Sequence, residues 1–117
     1  MKDPIELIKE ERLKQITKGY DAGHDGEHQN GEISQAAGCY LSVASAQIRG
    51  ASAEEFPVEV FLYGEGEFLW PFEPESFRPE EFAIQNLVKA GAMIVAEIDR
   101  LQRMVTHPNW ERKVGGR

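Results

Sequence analysis

The sequence predicts a mainly α fold: a three-helix core at about residues 3–18, 32–49 and 80–105, with a small β-hairpin at about residues 58–70 packed on it. Three observations predict this. Apolar residues recur at helical spacing in three separate stretches, which is the mark of amphipathic helices. Between the second and third stretch, "FPVEVFLYGEGEFLWPF" sets β-branched and aromatic residues among acids around a Gly-Glu-Gly break, a hairpin pattern. Finally, 117 residues at 41% hydrophobic and 28% charged content suit one globular domain with a core of its own.

The first helix begins at Asp3, a good N-cap, with Pro4 at the first helical position, where a missing N–H costs nothing. Ile5, Ile8, Leu13 and Ile16 give its apolar spacing, Glu10 and Lys14 form a favourable i,i+4 pair, and Gly19 suits the stop. In the second helix Ile33, Ala36, Ala37, Tyr40, Val43, Ala44 and Ile48 share a stripe. Its small residues invite another helix to approach closely. Gly38 costs up to about 1 kcal/mol of helix propensity, so it is expected where a larger side chain would clash. Gly50 ends the element.

The hairpin is expected from Val58–Tyr63 paired with Glu67–Trp70, flanked by Pro57, Pro71, Pro74 and Pro79. Two strands alone are marginal in water, so it must lie on the helices or pair with another subunit. The last helix carries Ile84, Leu87, Val88, Gly91, Ile94, Val95, Ile98, Leu101 and Val105 on one broad stripe. At 1.5 Å per residue it would run about 39 Å, long for so small a chain, so a homo-oligomer is expected to cover part of the stripe. Residues 1–105 then form a single helical domain with a hairpin insertion, and 106–117, with a Pro stop and a Gly-Gly end, a flexible tail.

The formal charge of −7 argues against direct nucleic-acid binding, which needs Lys and Arg to neutralise phosphates. It allows a basic partner. Residues 54–81 hold nine acids and one base, Arg78. No apolar run approaches the roughly 20 residues of a membrane span. The charged start MKDPIELIKEERLK lacks an apolar signal region, and the single Cys39 makes no internal disulfide. These features predict a cytoplasmic protein.

The richest stretch in ligand-type residues is "GYDAGHDGEHQNGE", residues 19–32. Counted from Asp21, it sets Asp25, Gly26 and Glu32 at positions 5, 6 and 12 of a calcium loop. Against that, Gly23 stands at position 3, His28 at position 8, and no second loop exists to pair with it. "HDGEH" echoes the H-E-x-x-H zinc motif, but the surrounding glycines oppose the helix that motif requires. If a divalent metal binds, His24, Asp25, His28 and Glu32 are its candidate ligands; no cofactor is expected. As a plain connection, Asn30 or Gly31 would cap the second helix and Glu32 would favour its first turn. The excess of His24 and His28 still points to a site.

Elsewhere Trp70, in "FLWPF", could stack on a base or anchor the hairpin, and Lys89 could face an anion or solvent. Glu97 and Asp99 fall on different helix faces and make no ready carboxylate pair. Cys39, mid-helix among small residues, reads as a buried small hydrophobe. No phosphate-cradling loop or hydrolytic triad is present.

The block "ERLKQITKGYDAGHDGEHQNGEISQAAGCY", the later "LWPF" and "NLVKAGAMIVAEIDRLQR" resemble a group of small, uncharacterised proteins encoded by bacteriophages and prophages. About half the chain is covered. Phe72 stands where that group's aromatic motif ends in Trp, and the intervening segment differs. The resemblance implies a phage accessory protein in a bacterial cytoplasm. It favours Tyr20, His24, Asp25 and His28 acting with Tyr40, Trp70 and Lys89 as a ligand site. Binding is then expected rather than catalysis: neutralising a host anti-phage factor, or sequestering a small anionic ligand such as a signalling nucleotide. The alternative is a metal-dependent nucleotide pyrophosphohydrolase of the all-helical kind, which lacks here a clean E-x-x-E opposite an E-x-x-D.

Overall fold

The structure, a computed structural model of the chain, describes residues 1–19, 30–63 and 67–104. Its described elements are helices α1 (Pro4–Thr17), α2 (Glu32–Ile48) and α3 (Ala83–Met104), with three short 3-10 turns between α2 and α3. α3 packs on both other helices, which scarcely touch each other. Ser34 near the start of α2 reaches Glu97 near the end of α3, while Gln47 at the end of α2 reaches Glu80 and Glu81 just before α3. The pair is therefore antiparallel.

Small residues bring these two helices together. Ala36, Ala37 and Ala44 of α2 and Ala90, Ala92 and Ala96 of α3 are all buried. Gly38 lies under the ring of Phe68, and a Cβ there would fall inside the ring's van der Waals envelope. Its low helix propensity is thus the condition for seating the segment that follows. α1 starts at Asp3 and Pro4 as the sequence suggests, but the Asp3 side chain makes no cap; its carbonyl accepts from the Leu7 N–H at 3.1 Å. Glu10 pairs with Lys2 at 2.9 Å. Gly19 and Gly50 follow the helix ends with φ of 103° and 107°, a conformation that favours glycine.

The predicted β-hairpin at 58–70 is not formed: there is no strand among the described residues. Residues Val58–Phe61 make a 3-10 turn instead, as do Ala53–Glu55 and Pro74–Ser76. One backbone bond, Trp70 N–H to the Phe61 carbonyl at 2.9 Å, is what remains of strand pairing. The reason lies in the aromatic residues. Trp70 and Phe77 close on Tyr40 of α2 and on each other, and Phe61 packs on Phe77, with ring centroids 4.9 to 5.6 Å apart. A strand would turn alternate side chains to opposite faces, whereas Val58 and Phe61, three apart, pack into one cluster here. Pro71 also lacks the N–H that a ladder would need next. The mainly helical part of the expectation stands, with an aromatic-pinned irregular segment in place of the hairpin. The expected tail at 106–117 lies outside the described residues.

Candidate functional site

Three of the expected ligand-binding residues, Tyr40, Trp70 and Lys89, come together. α2 supplies Tyr40, α3 supplies Lys89, and the irregular segment brings Trp70 edge-on to Tyr40 at 5.6 Å. The Lys89 Nζ stands 5.2 Å from the centre of the Tyr40 ring, in cation–π range. Each polar atom also has a partner within the protein. The Tyr40 Oη accepts from the Arg78 N–H at 3.0 Å, and the Trp70 Nε1–H donates to the Glu73 carbonyl at 3.0 Å. Lys89 donates to the Arg78 carbonyl at 2.7 Å and pairs with Glu80 at 3.0 Å. Lys89 thus clasps the end of the segment to α3. All three residues take part in the packing of the irregular segment against α2 and α3.

Tyr20, His24, Asp25 and His28 lie outside the described residues. Glu32, the fourth candidate metal ligand, accepts the Asn30 N–H at 2.6 Å in front of α2, whose N-cap is Gly31. Among the described residues, no three His, Cys, Asp or Glu side chains gather in a metal-holding group.

Two buried polar centres escaped the sequence reading. The first is Asn86, which has no exposed surface. Its Oδ1 accepts the Glu80 N–H at 2.8 Å, and its Nδ2 donates to Gln47 at 2.9 Å and to the Glu80 carbonyl at 3.0 Å. The second is the Glu97–Arg100 pair, buried on α3 at 2.5 Å, with Ser34 donating to the other Glu97 oxygen at 3.1 Å. Asn86 among apolar neighbours and Glu97 three residues before Arg100 were the available signals. Asp99 faces the other way and pairs with Arg103 at 2.6 Å.

Cys39 is fully buried, and burial pushes its thiol up to about 12. Since the thiolate is the reactive form, folded protein at pH 8 is expected to react with a disulfide reagent far more slowly than unfolded protein. A thiol assay with and without denaturant checks this.

The outer side of the irregular segment has a different character. An open groove of about 280 Å³ is lined by Phe56, Pro57, Val58, Phe77 and Pro79, with Glu54 beside them. Glu54, Glu59, Glu67, Glu73, Glu75 and Glu81 are exposed, and no ion pair among the described residues involves them.

The fold and these surfaces define, among the described residues, three helices and an acidic, aromatic-pinned segment. Compared with known proteins, the chain matches no family model, no curated protein and no solved structure. No helix among the described residues is long and apolar enough to cross a membrane.

Proposed function

We propose that the protein acts by binding rather than by catalysis, neutralising a basic host factor as a phage or prophage accessory protein in the bacterial cytoplasm. The observation that carries this reading is the set of exposed acids Glu54, Glu59, Glu67, Glu73, Glu75 and Glu81, which join no ion pair among the described residues, on a segment fixed by the aromatic cluster. A single-sign surface repels itself and disfavours the compact state, so its retention on a pinned segment supports a role in recognition. The groove beside Glu54 suits a Lys or Arg side chain, whose alkyl stem covers apolar surface while its charge meets carboxylates. Acidic side chains steer a basic partner at long range and lose that effect with salt.

The test is retention of bacterial proteins on the immobilised protein, compared with a Glu54→Gln, Glu59→Gln, Glu73→Gln, Glu75→Gln variant. The expected result is a basic protein held by the wild type at about 0.1 M salt, released at about 1 M, and not held by the variant. Equal retention by both overturns the reading. So does a nucleotide that stabilises the wild type by about 2.7 kcal/mol at 100 times its dissociation constant but leaves a His24→Ala, His28→Ala variant unchanged. That outcome would move the function to the loop and to the anionic-ligand alternative. Nucleotide turnover with Mg²⁺ would establish the enzyme alternative.

A further inference from the structure

The longest helix is turned inside out for a monomer. Ile84, Leu87, Gly91, Ile94, Ile98 and Leu101 follow one another in alternating steps of three and four residues, the a/d seam of a helical bundle. The five with side chains are between 39% and 66% exposed. The opposite face of α3, buried against its own chain, is made of Asn86, small alanines, Glu97 and Arg100. A helix in a self-sufficient domain would bury the first set and expose the second.

The one gap in the seam is Gly91, and Ile8 of α1 sits over it, its Cδ1 2.8 Å from where a Cβ would stand. α1 therefore docks on the same seam that continues, uncovered, to either side. α1 itself buries only Arg12 and leaves Ile5, Leu13 and Ile16 exposed. With Val95, these apolar side chains leave on the order of 800 Å² uncovered, the share per partner of a standard-size interface.

Charge identifies the occupant. The chain as a whole carries −7, so most of its surface repels a copy of itself. α1, by contrast, holds three acids and three bases, and α3 two acids and three bases, with Glu97 and Asp99 paired along the helix. No charged residue occupies the seam. The α1–α3 layer is the near-neutral, apolar face through which two copies of an acidic protein meet without repulsion.

We propose that the outward seam of α3 is the contact surface for a second copy of this chain, with α1 and α3 of both copies forming a four-helix bundle. The contact is isologous and leaves the acidic segment free, so it goes beyond the binding role above and does not depend on it.

The experiment combines sedimentation equilibrium with cross-linking of the full chain. The wild type is expected to be dimeric at micromolar concentration. Ile98→Glu is expected to raise the dimer dissociation constant by at least about 100-fold while keeping its helical circular dichroism. Ile94→Cys and Ile98→Cys are expected to give covalent dimers with a short bis-maleimide, the buried Cys39 staying silent, whereas Val60→Cys on the irregular segment gives none. Should Ile98→Glu fail to fold, the cross-linking pattern decides. A wild type monomeric at its highest soluble concentration overturns the proposal. A folded Ile98→Glu variant that remains dimeric, or cross-links absent from the seam, overturns it equally.

Discussion

Asn86→Ala is expected to lower stability by about 3 kcal/mol, read as a reduced midpoint of urea unfolding at fixed protein concentration. The side chain is buried and makes three hydrogen bonds, one accepted from the Glu80 N–H and two donated to Gln47 and the Glu80 carbonyl. Each is worth about 1 kcal/mol net, and a buried group left without a partner costs about 1–3 kcal/mol more. Gln47 in turn donates to the Glu80 and Glu81 carbonyls. The two amides thus tie the end of α2 to the turn that launches α3. No helix-propensity effect rivals this, since Asn→Ala alone would favour a helix by at most about 0.7 kcal/mol.

Asn86→Asp separates hydrogen bonding from shape. The carboxylate still accepts the Glu80 N–H but cannot donate to Gln47 or to the Glu80 carbonyl, and it buries a charge. Its folded pKa is therefore raised above the ordinary Asp value of about 3.9. A group raised in the folded state binds its proton more tightly there, so the variant is expected to be most stable below about pH 4 and to lose stability as pH rises. An acid-side optimum absent from the wild type would establish this; a parallel pH profile would refute it.

The three helices were legible because their signals are local. Pro4 at a helix start, Gly19 and Gly50 just past helix ends, and apolar residues at helical spacing act within a turn or two of chain. The segment between α2 and α3 was misread for the opposite reason. Its alternation of apolar and acidic residues satisfies a strand pattern, but the outcome turns on Tyr40 and Gly38, at least eighteen residues earlier in the chain. Tyr40 offers a ring and a hydroxyl for Phe77, Trp70 and Arg78 to close on, and Gly38 makes room for Phe68. Neither fact is visible in the segment itself. The partners of Trp70 and Lys89, the Glu73 and Arg78 carbonyls, were hidden for the same want of context: they are backbone groups that no residue pattern announces. The stripe on α3 was legible, yet its direction was not. An apolar stripe says that something covers it, and only the position of α2 shows that the chain's own core lies on the other side.

That inversion makes the buried Glu97–Arg100 pair the second site where a large effect is expected. A charged pair on the inward face of a helix is costly to desolvate, and its value depends on both members being present. Glu97→Ala leaves the Arg100 guanidinium, 6% exposed, with the Met104 sulfur at 3.1 Å as its remaining hydrogen-bond acceptor among the described residues; it is expected to cost about 3–5 kcal/mol. The Ser34 hydroxyl loses its acceptor at the same stroke, loosening the start of α2 from the end of α3. Arg100→Leu should cost a comparable amount, since it strands the carboxylate. Glu97→Leu combined with Arg100→Leu should cost less than either single change, because two matched apolar side chains leave no buried charge behind. A double-mutant cycle by urea unfolding, at one concentration because self-association adds to apparent stability, reads this as strong coupling. Additive losses would mean that the two charges are solvated independently. Strong coupling would show that the two charges are tolerated inside only as a pair, and rotating α3 to bury Ile94 and Ile98 instead would carry that pair away from the Ser34 hydroxyl of α2.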